Sequence, residues 1–372
     1  MKFAVFTHVV HRQNNNQIFG YAPYIYEMNI WGKYVSELKI IAPQNNQDVS
    51  AIDASYNHQN CTFSAIKAFD FLNLKAILKA LVCLPQNFFV ICKAMSNADH
   101  IQIRCPGNVG LLACVAQIFF PKKSKTAKYA GNWDPKAKQP LSYKLQKWIL
   151  NNTLLTRNMQ VLVYGQYPNQ SHNIKPFFTA TYSDQQKTDN KVRNFDATIT
   201  FLFVGTLTSG KRPLYAVQLI EQLLASNTNI RLEIYGEGAE NQNITQYIQS
   251  KKLGKFVFLN GNQHKDVLQV AYQNAHFLIL PSKSEGWPKA VAEAMFWGCV
   301  PISTNVSCIN YMLDNQTRGL ILDLNLKNDV QKVNYLLENH DIYNQKSLAA
   351  SQWSQNYTTN FFESEIQKLL QV

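Results

Sequence analysis

Two glutamates, Glu285 and Glu293, stand eight positions apart in the stretch SEGWPKAVAEAMFWG, residues 284–298. Carboxylates accept hydrogen bonds strongly from hydroxyls, so two of them at that separation could hold two polyol groups of one extended ligand. Gly286 permits close backbone approach to a ligand. Pro288 suits the first turn of a helix, where its missing N–H would have no intrahelical partner. Free N–H groups at such a helix start favour an anion, and Lys289 adds a cation beside them. If one helix carries both acids, eight steps leave Glu293 roughly 80° from Glu285 and about two turns deeper. Glu285 is then expected at the mouth of a cleft, with Glu293 further along its wall. Upstream, in FVGTLTSGKRP, Gly205 ends an apolar run and Lys211 and Arg212 follow it. Paired cations suit a leaving group that gains negative charge as its bond breaks. Taken singly, these features have plainer readings: a glutamate that complements a helix dipole, an exposed glutamate, a surface Lys-Arg pair.

The elements that must position these residues alternate along the whole chain. Short β-branched or aromatic runs predict strands over 3–7, 38–42, 62–65, 100–104, 126–129 and 161–164, with helices over 21–30, 74–96, 109–120 and 142–156 between them. The second half repeats the scheme, with strands over 197–204, 230–235, 256–259, 277–280 and 300–303. Its helices are expected over 213–224, 241–251, 266–273, 288–297 and 330–338. Such alternation gives mainly parallel sheets with helices on both faces. The expected fold is α/β: two doubly wound, Rossmann-like domains facing each other across a cleft at the carboxyl ends of their strands. The domains are assigned to residues 1–180 and 197–358, with a polar linker over 181–196. A terminal helix over 359–372 is expected to cross back to the first domain. The start, MKFAVFTHVV, reads as a first strand rather than a signal peptide. Apolar runs such as 109–116 fall short of the ~20 residues that span a bilayer.

The 372 residues carry a net charge of +12, and the first half holds all of it. Residues 1–175 contain 19 Lys/Arg and 7 Asp/Glu, so 19 − 7 = +12; residues 176–372 contain 17 of each. The excess peaks at Lys122, Lys123, Lys125, Lys128, Lys136, Lys138, Lys144 and Lys147, with Asp134 as the one acid among them. Such a segment attracts an anionic lipid leaflet, a diphosphate-bearing substrate or nucleic acid, or else serves as a solubilising face. Seven scattered cysteines without CxxC spacing read as thiols in a reducing cytoplasm. No metal-binding pattern is present, and no metal is expected.

The stretch EGWPKAVAEAMFWGCVPI, from Glu285 to Ile302, resembles the signature of the family 4 (group 1) glycosyltransferases, retaining enzymes of GT-B architecture. The resemblance implies that Glu285 contacts hydroxyls of the transferred sugar and that Glu293 holds the nucleotide ribose. Gly286, Trp287, Pro288 and Lys289 fall on the donor side of the same motif. Gly205 and Lys211 resemble a glycine…lysine segment whose cations neutralise the donor diphosphate, which makes Lys211 and Arg212 catalytic candidates beside Glu285. Thr206 stands where the family usually has arginine, with Arg212 or Lys289 as its substitute. IYGEGAE, with Gly236 and Gly238, resembles the family's strand–G-x-G turn. VFLNG, with Asn260 and Gly261, resembles the strand end that lines the nucleobase pocket.

In the first half, ADHIQIRCPGN resembles the acceptor-domain strand and turn, with Arg104 facing the cleft. Gly20 lies in the segment that commonly carries a glycine-rich turn, and His8 and His11 end the first strand. After the strand over 126–129 the chain offers Asn132 and Asp134 to orient an acceptor hydroxyl, in place of the family's frequent histidine. The resemblance implies a retaining glycosyltransferase without a cofactor, a nucleotide-sugar being the co-substrate. Its acceptor is expected to be a glycan carried on a lipid diphosphate, reached from the cytoplasm at an anionic inner membrane face through the basic first half. Two other readings are a GT-B enzyme of different reaction, such as a nucleotide-sugar epimerase or soluble disaccharide synthase, and a nucleic-acid-binding protein. No RNP-like, helix-turn-helix or zinc-finger pattern supports the last, so no nucleic-acid partner is expected.

Overall fold

The computed structural model describes residues 1–15, 17–50, 52–69 and 74–371. The chain divides into two compact units, Met1–Phe178 with Phe362–Val372, and Thr179–Phe361.

The first unit holds strands β1 (Lys2–Phe6), β2 (Arg12–Asn14), β3 (Gln17–Tyr21), β4 (Glu37–Pro43), β5 (Asp53–Ser55), β6 (Cys61–Ile66), β7 (His100–Cys105), β8 (Ser124–Tyr129), β9 (Met159–Tyr164) and β10 (Ile174–Phe177). Its helices are α1 (Ala22–Gly32), α2 (Leu74–Asn97), α3 (Asn108–Ala116) and α4 (Leu141–Leu150). Seven strands form a parallel sheet in the order β10-β9-β8-β7-β1-β4-β6. Strand order reverses between β1 and β7, the switch point at which doubly wound sheets open a crevice. Right-handed crossovers put α2, α3 and α4 on one face of this sheet and α1 on the other. The packing agrees: Ile91 and Met95 of α2, Val109 and Ala113 of α3 and Ile149 of α4 share one buried cluster with Ala4, Phe6, Ile101 and Ile103. On the opposite face Phe3 stacks on Trp31 at the end of α1, ring centroids 5.6 Å apart.

The second unit runs β11 (Ile199–Val204), α5 (Pro213–Leu223), β12 (Ile230–Tyr235), α6 (Asn241–Ser250), β13 (Val257–Leu259), α7 (Lys265–Asn274), β14 (Phe277–Leu280), α8 (Lys289–Phe296), β15 (Val300–Thr304), α9 (Ile309–Leu313), β16 (Leu320–Leu322), α10 (Leu326–Glu338) and α11 (His340–Ser354). Its six strands are parallel in the order β13-β12-β11-β14-β15-β16, with the switch point between β11 and β14. Strands buried on both faces carry near-continuous apolar runs, as ITFLFV and FLIL do. The last helix, α12 (Thr359–Leu370), starts in this unit, and its residues from Phe362 onward belong to the first. There Phe362 meets Phe177 and Phe178 at 5.4 and 5.7 Å between centroids.

Several local readings differ from the structure. Helix α4 stops at Leu150 because the Asn152 side chain accepts from the Leu154 and Leu155 N–H groups, which pulls the chain into a turn. The segment expected to carry a glycine-rich turn is a small antiparallel sheet, β2-β3-β5, leading into α1. Residues 181–196, read as a polar linker, fall within the second unit. Arg193 is buried there and donates to the Ala275, Tyr272 and Trp297 carbonyls at 3.0, 3.4 and 2.6 Å.

The lysine-rich stretch also changes character. Lys125 and Lys128 are buried in the central strand β8. The Lys125 ammonium donates to the Phe120 carbonyl at 3.0 Å, and burial pushes its pKa down to about 8. Lys123 donates to the Ser96 and Ala98 carbonyls, and Lys147 to that of Asp134. Lys122, Lys136, Lys138 and Lys144 are the members of the stretch that stay exposed.

Candidate functional site

In the second unit the expected donor residues gather at the carboxyl edge of the sheet, on the loops that leave β11, β12, β13 and β14. Two of these loops flank the switch point, and three links join them. The Lys283 N–H donates to the Gly210 carbonyl at 2.7 Å. Arg212 donates from its guanidinium to the Pro281 carbonyl at 3.1 Å. The Lys211 ammonium meets the Glu285 carboxylate at 2.5 Å. These two side chains are 28% and 9% exposed, so the pair is largely sheltered yet reachable. One basic and one acidic candidate, 74 residues apart in sequence, thus share a single contact.

The loop after β12 presses against the loop after β11. A Cβ at Gly236, where φ is 145°, would lie 2.0 Å from the Gly205 carbonyl oxygen, and one at Gly238 2.4 Å from that of Leu207. Only glycine fits so close an approach. The Leu207 N–H donates to the Glu237 carbonyl, and the Gly236 N–H to that of Gly261. Asn260 and Gly261 therefore join the same edge. Thr206 is exposed at the turn, and Arg212 has one guanidinium nitrogen committed to Pro281.

Glu285 and Glu293 do not lie on one helix. Pro288 takes ψ 86°, which is not helical, so it caps α8 from outside and the helix begins at Lys289. Glu285 sits in the preceding loop, and the 80° relation expected between the two acids does not apply. Glu293 points to internal partners: it accepts from the Thr181 hydroxyl at 2.7 Å and from the Tyr272 hydroxyl at 3.1 Å. Burial pushes its carboxyl pKa up, opposed by the Thr181 hydroxyl and the Lys289 charge. The pocket beside it, bordered by Thr181, Lys289 and Trp287, has a volume of about 10 Å³. Neither acid faces open solvent. Trp287 turns toward α11 and stacks with Trp353 at 6.2 Å, and the Gly286 carbonyl accepts from the Ser307 hydroxyl at 2.9 Å.

In the first unit, His8 and Arg104 come together at the β1/β7 switch point. The His8 ring packs over Gly107, whose Cβ would lie 2.9 Å from Nδ1. Desolvation and the Arg104 charge lower its pKa, though the residue keeps an exposed face. Arg104 pairs with Glu27 of α1 at 3.1 Å and lies over the Tyr24 ring at 5.5 Å. Lys128 reaches the same Glu27 oxygen at 2.8 Å, among the rings of Tyr164, Phe177 and Phe362. Two cations on one buried carboxylate leave an excess positive charge at this edge. Gly20 lies in β3 against His11, away from any turn. Asn132 and Asp134 are occupied in their own turn: Asn132 Oδ1 accepts from the Asp134 N–H, and Asp134 Oδ1 from the Lys136 N–H.

Glu27, Lys128, Thr181 and Tyr272 were not among the sequence candidates. Two of them left a trace. Glu27 is the one acid in the otherwise uncharged helix APYIYEMNIWG, and Lys128 is a charge inside a central strand. Charges at such positions are seldom buried without partners. Thr181 and Tyr272 carry no such mark. Among the described residues, no group of three His, Cys, Asp or Glu could hold a metal.

Residues 184–353 match the family described as Glycosyl transferases group 1. The chain is 26% identical over 160 residues to an uncharacterized glycosyltransferase of Haemophilus influenzae, over 42% of this chain and 45% of that protein. It is 22% identical over 198 residues to a poly(ribitol-phosphate) alpha-N-acetylglucosaminyltransferase of Staphylococcus aureus, over 53% and 40%. The matched stretches thus span less than half the length of these curated relatives. HepE from Anabaena, solved in complex with UDP and glucose, superposes with a TM-score of 0.71 at 10% identity, over 100% of this chain and 99% of that one. Residues 184–353, a little under half of the chain, thus match the glycosyl transferases group 1 family, and the chain has the GT-B fold with two Rossmann-like units.

Proposed function

We propose that the chain is a retaining glycosyltransferase that moves a sugar from a uridine diphosphate donor to a hydroxyl of a glycan acceptor. The reading rests on the Lys211–Glu285 contact across the β11/β14 switch point. An ammonium and a carboxylate held together can serve two ends of one donor: the lysine takes the diphosphate, the glutamate the sugar hydroxyls. The donor C1–O bond to the diphosphate breaks while C1 bonds to the acceptor oxygen on the same face. The acceptor proton passes to a diphosphate oxygen, so no protein base is required. The nucleoside diphosphate leaves with added negative charge, which Lys211 offsets, with Arg212 or Lys289 as a second cation. UDP is the nucleotide to test first because the HepE complex holds it.

On the acceptor side we assign Arg104 and His8, since the Glu27–Lys128 ion cluster behind them leaves positive charge at that edge. A glycan carried on a lipid diphosphate at an anionic inner membrane face suits that charge. The test is a UDP-release assay with a panel of UDP-sugars, with and without a lipid-diphosphate glycan, followed by proton NMR of the product. Transfer with the donor's anomeric configuration kept is expected. An inverted product would refute retention, and the absence of both donor hydrolysis and thermal stabilisation by UDP would refute the donor assignment.

A further inference from the structure

Helices α2, α3 and α4 form one layer on the first unit's sheet, and none contains an aspartate or glutamate. Their outer side carries large apolar groups beside its polar ones. On α4, Leu141, Lys144, Leu145 and Trp148 follow the i, i+3, i+4, i+7 spacing of one stripe. Leu141 is 82% exposed, Leu145 45% and Trp148 60%. The opposite stripe, with Gln146, Ile149 and Leu150, is buried against the sheet. Beyond α4, Phe89 of α2 and Phe119 just after α3 are each 68% exposed. Lys144 is exposed within the α4 stripe, and Lys138, three residues before Leu141, and Lys122, three residues after Phe119, are exposed as well. Large apolar side chains at such exposure, grouped on one face, mark a surface that is covered in use.

We infer that this three-helix face seats on an anionic lipid bilayer, the apolar stripes entering the headgroup boundary and the lysines meeting lipid phosphates. A helix with Leu and Trp on one stripe and lysine at its border is built for that interface. Charge decides against a second copy as the occupant: an isologous contact would set an acid-free, lysine-bearing face against itself. No helix among the described residues is long and apolar enough to cross a membrane, so the contact is superficial. The inference deepens the proposed function, since it names the surface that brings the chain to a lipid-borne acceptor.

The test is flotation of the full chain at low salt with vesicles of phosphatidylglycerol and phosphatidylcholine, against vesicles of phosphatidylcholine alone. Wild type should float with the anionic vesicles. The Leu141→Ser, Leu145→Ser, Trp148→Ser triple variant should lose at least tenfold in partitioning, and Lys138→Gln with Lys144→Gln should lose severalfold. All of these positions are exposed, and circular dichroism together with UDP thermal shift on the same samples reports whether each variant is folded. Wild type that stays in solution, a triple variant that floats equally well, or a dimer that the triple variant converts to monomer would each overturn the inference. A missing UDP shift with flotation intact would instead count against the donor assignment alone.

Discussion

Replacing Lys211 by alanine separates catalysis from stability because the two members of its ion pair are sheltered unequally. Lys211 is 28% exposed and Glu285 9%. Truncating the lysine strands a nearly buried carboxylate; truncating the glutamate leaves an ammonium on a flexible stem that can swing to water. Fully exposed pairs contribute less than about 1 kcal/mol, and breaking fully buried ones costs about 3–5 kcal/mol. Lys211→Ala therefore belongs near 1–2 kcal/mol, and Glu285→Ala below about 1 kcal/mol. For a unit of this size the first lowers Tm by roughly 3–6 °C, against a total stability of about 5–15 kcal/mol. The protein stays folded. The catalytic effect is larger: losing one preorganised group that stabilises charge in the transition state costs about 2.7–4 kcal/mol, or about 10²–10³ in kcat. Initial rates of UDP release at saturating donor, read beside thermal melts, give both numbers. Lys211→Ala within threefold of the wild-type kcat would refute the donor role. A Glu285→Ala variant less stable than Lys211→Ala would refute the burial argument.

Two further outcomes follow from the geometry. Gly236→Ala drives a methyl to 2.0 Å from the Gly205 carbonyl oxygen, so the loops after β11 and β12 must part. We expect a loss of about 2–3 kcal/mol in urea unfolding together with a smaller UDP thermal shift, whereas an unaltered shift would remove these loops from the donor site. His11, His100 and His276 are buried, and burial pushes each pKa from 6.5 down to about 4. Between those values the unfolded chain binds the extra protons, so their stabilisation is complete above pH 6.5 and is lost as pH falls toward 4. Each contributes on the order of 3 kcal/mol, and Glu293, whose pKa burial raises, works in the opposite direction. Tm should fall steadily below pH 6.5, and a His276→Gln variant should fall less; identical profiles would contradict the neutral role of His276, whose Nδ1 accepts from the Thr200 N–H at 3.2 Å.

The parallel sheets were legible because their strands are apolar on both faces, and runs such as FLIL have few other uses. Lys211 and Glu285 were legible for a different reason: each lies just past a strand end, beside glycines, where a doubly wound sheet opens. The relation between Glu285 and Glu293 was not. A helical count across 285–293 presumes a helical backbone, and the chain is a non-helical loop through Pro288, with α8 starting at Lys289. The partners of Glu293, Thr181 and Tyr272, arrive from 112 and 21 residues away, and nothing in their neighbourhoods points to them. The end of α4 was missed because an asparagine at a helix end and one inside a helix look alike until its side chain finds N–H groups to bind.

The charge count misled in a more instructive way. Summing lysines over 122–147 treats every one as a surface cation, yet β8 lies between strands on both sides and beneath helices, and from Lys125 to Tyr129 every residue in it is buried. Lys128 is held there by Glu27 and three aromatic rings, and Lys125 by backbone carbonyls. Both add to the net charge without adding to the surface a lipid would meet. What composition could not reveal is that the same unit leaves apolar groups outside on α2 and α4, where a solubilising face would carry acids as well as lysines. A cluster of cations alone would hold to a membrane only at low salt, because screening at physiological ionic strength shortens its reach to about 8 Å. Leucines and a tryptophan beside the cations remove that dependence, since burying apolar area is insensitive to screening. Vesicle binding that persists at 0.15 M salt in wild type and vanishes there in the triple serine variant is therefore the signature that separates this face from a merely basic one.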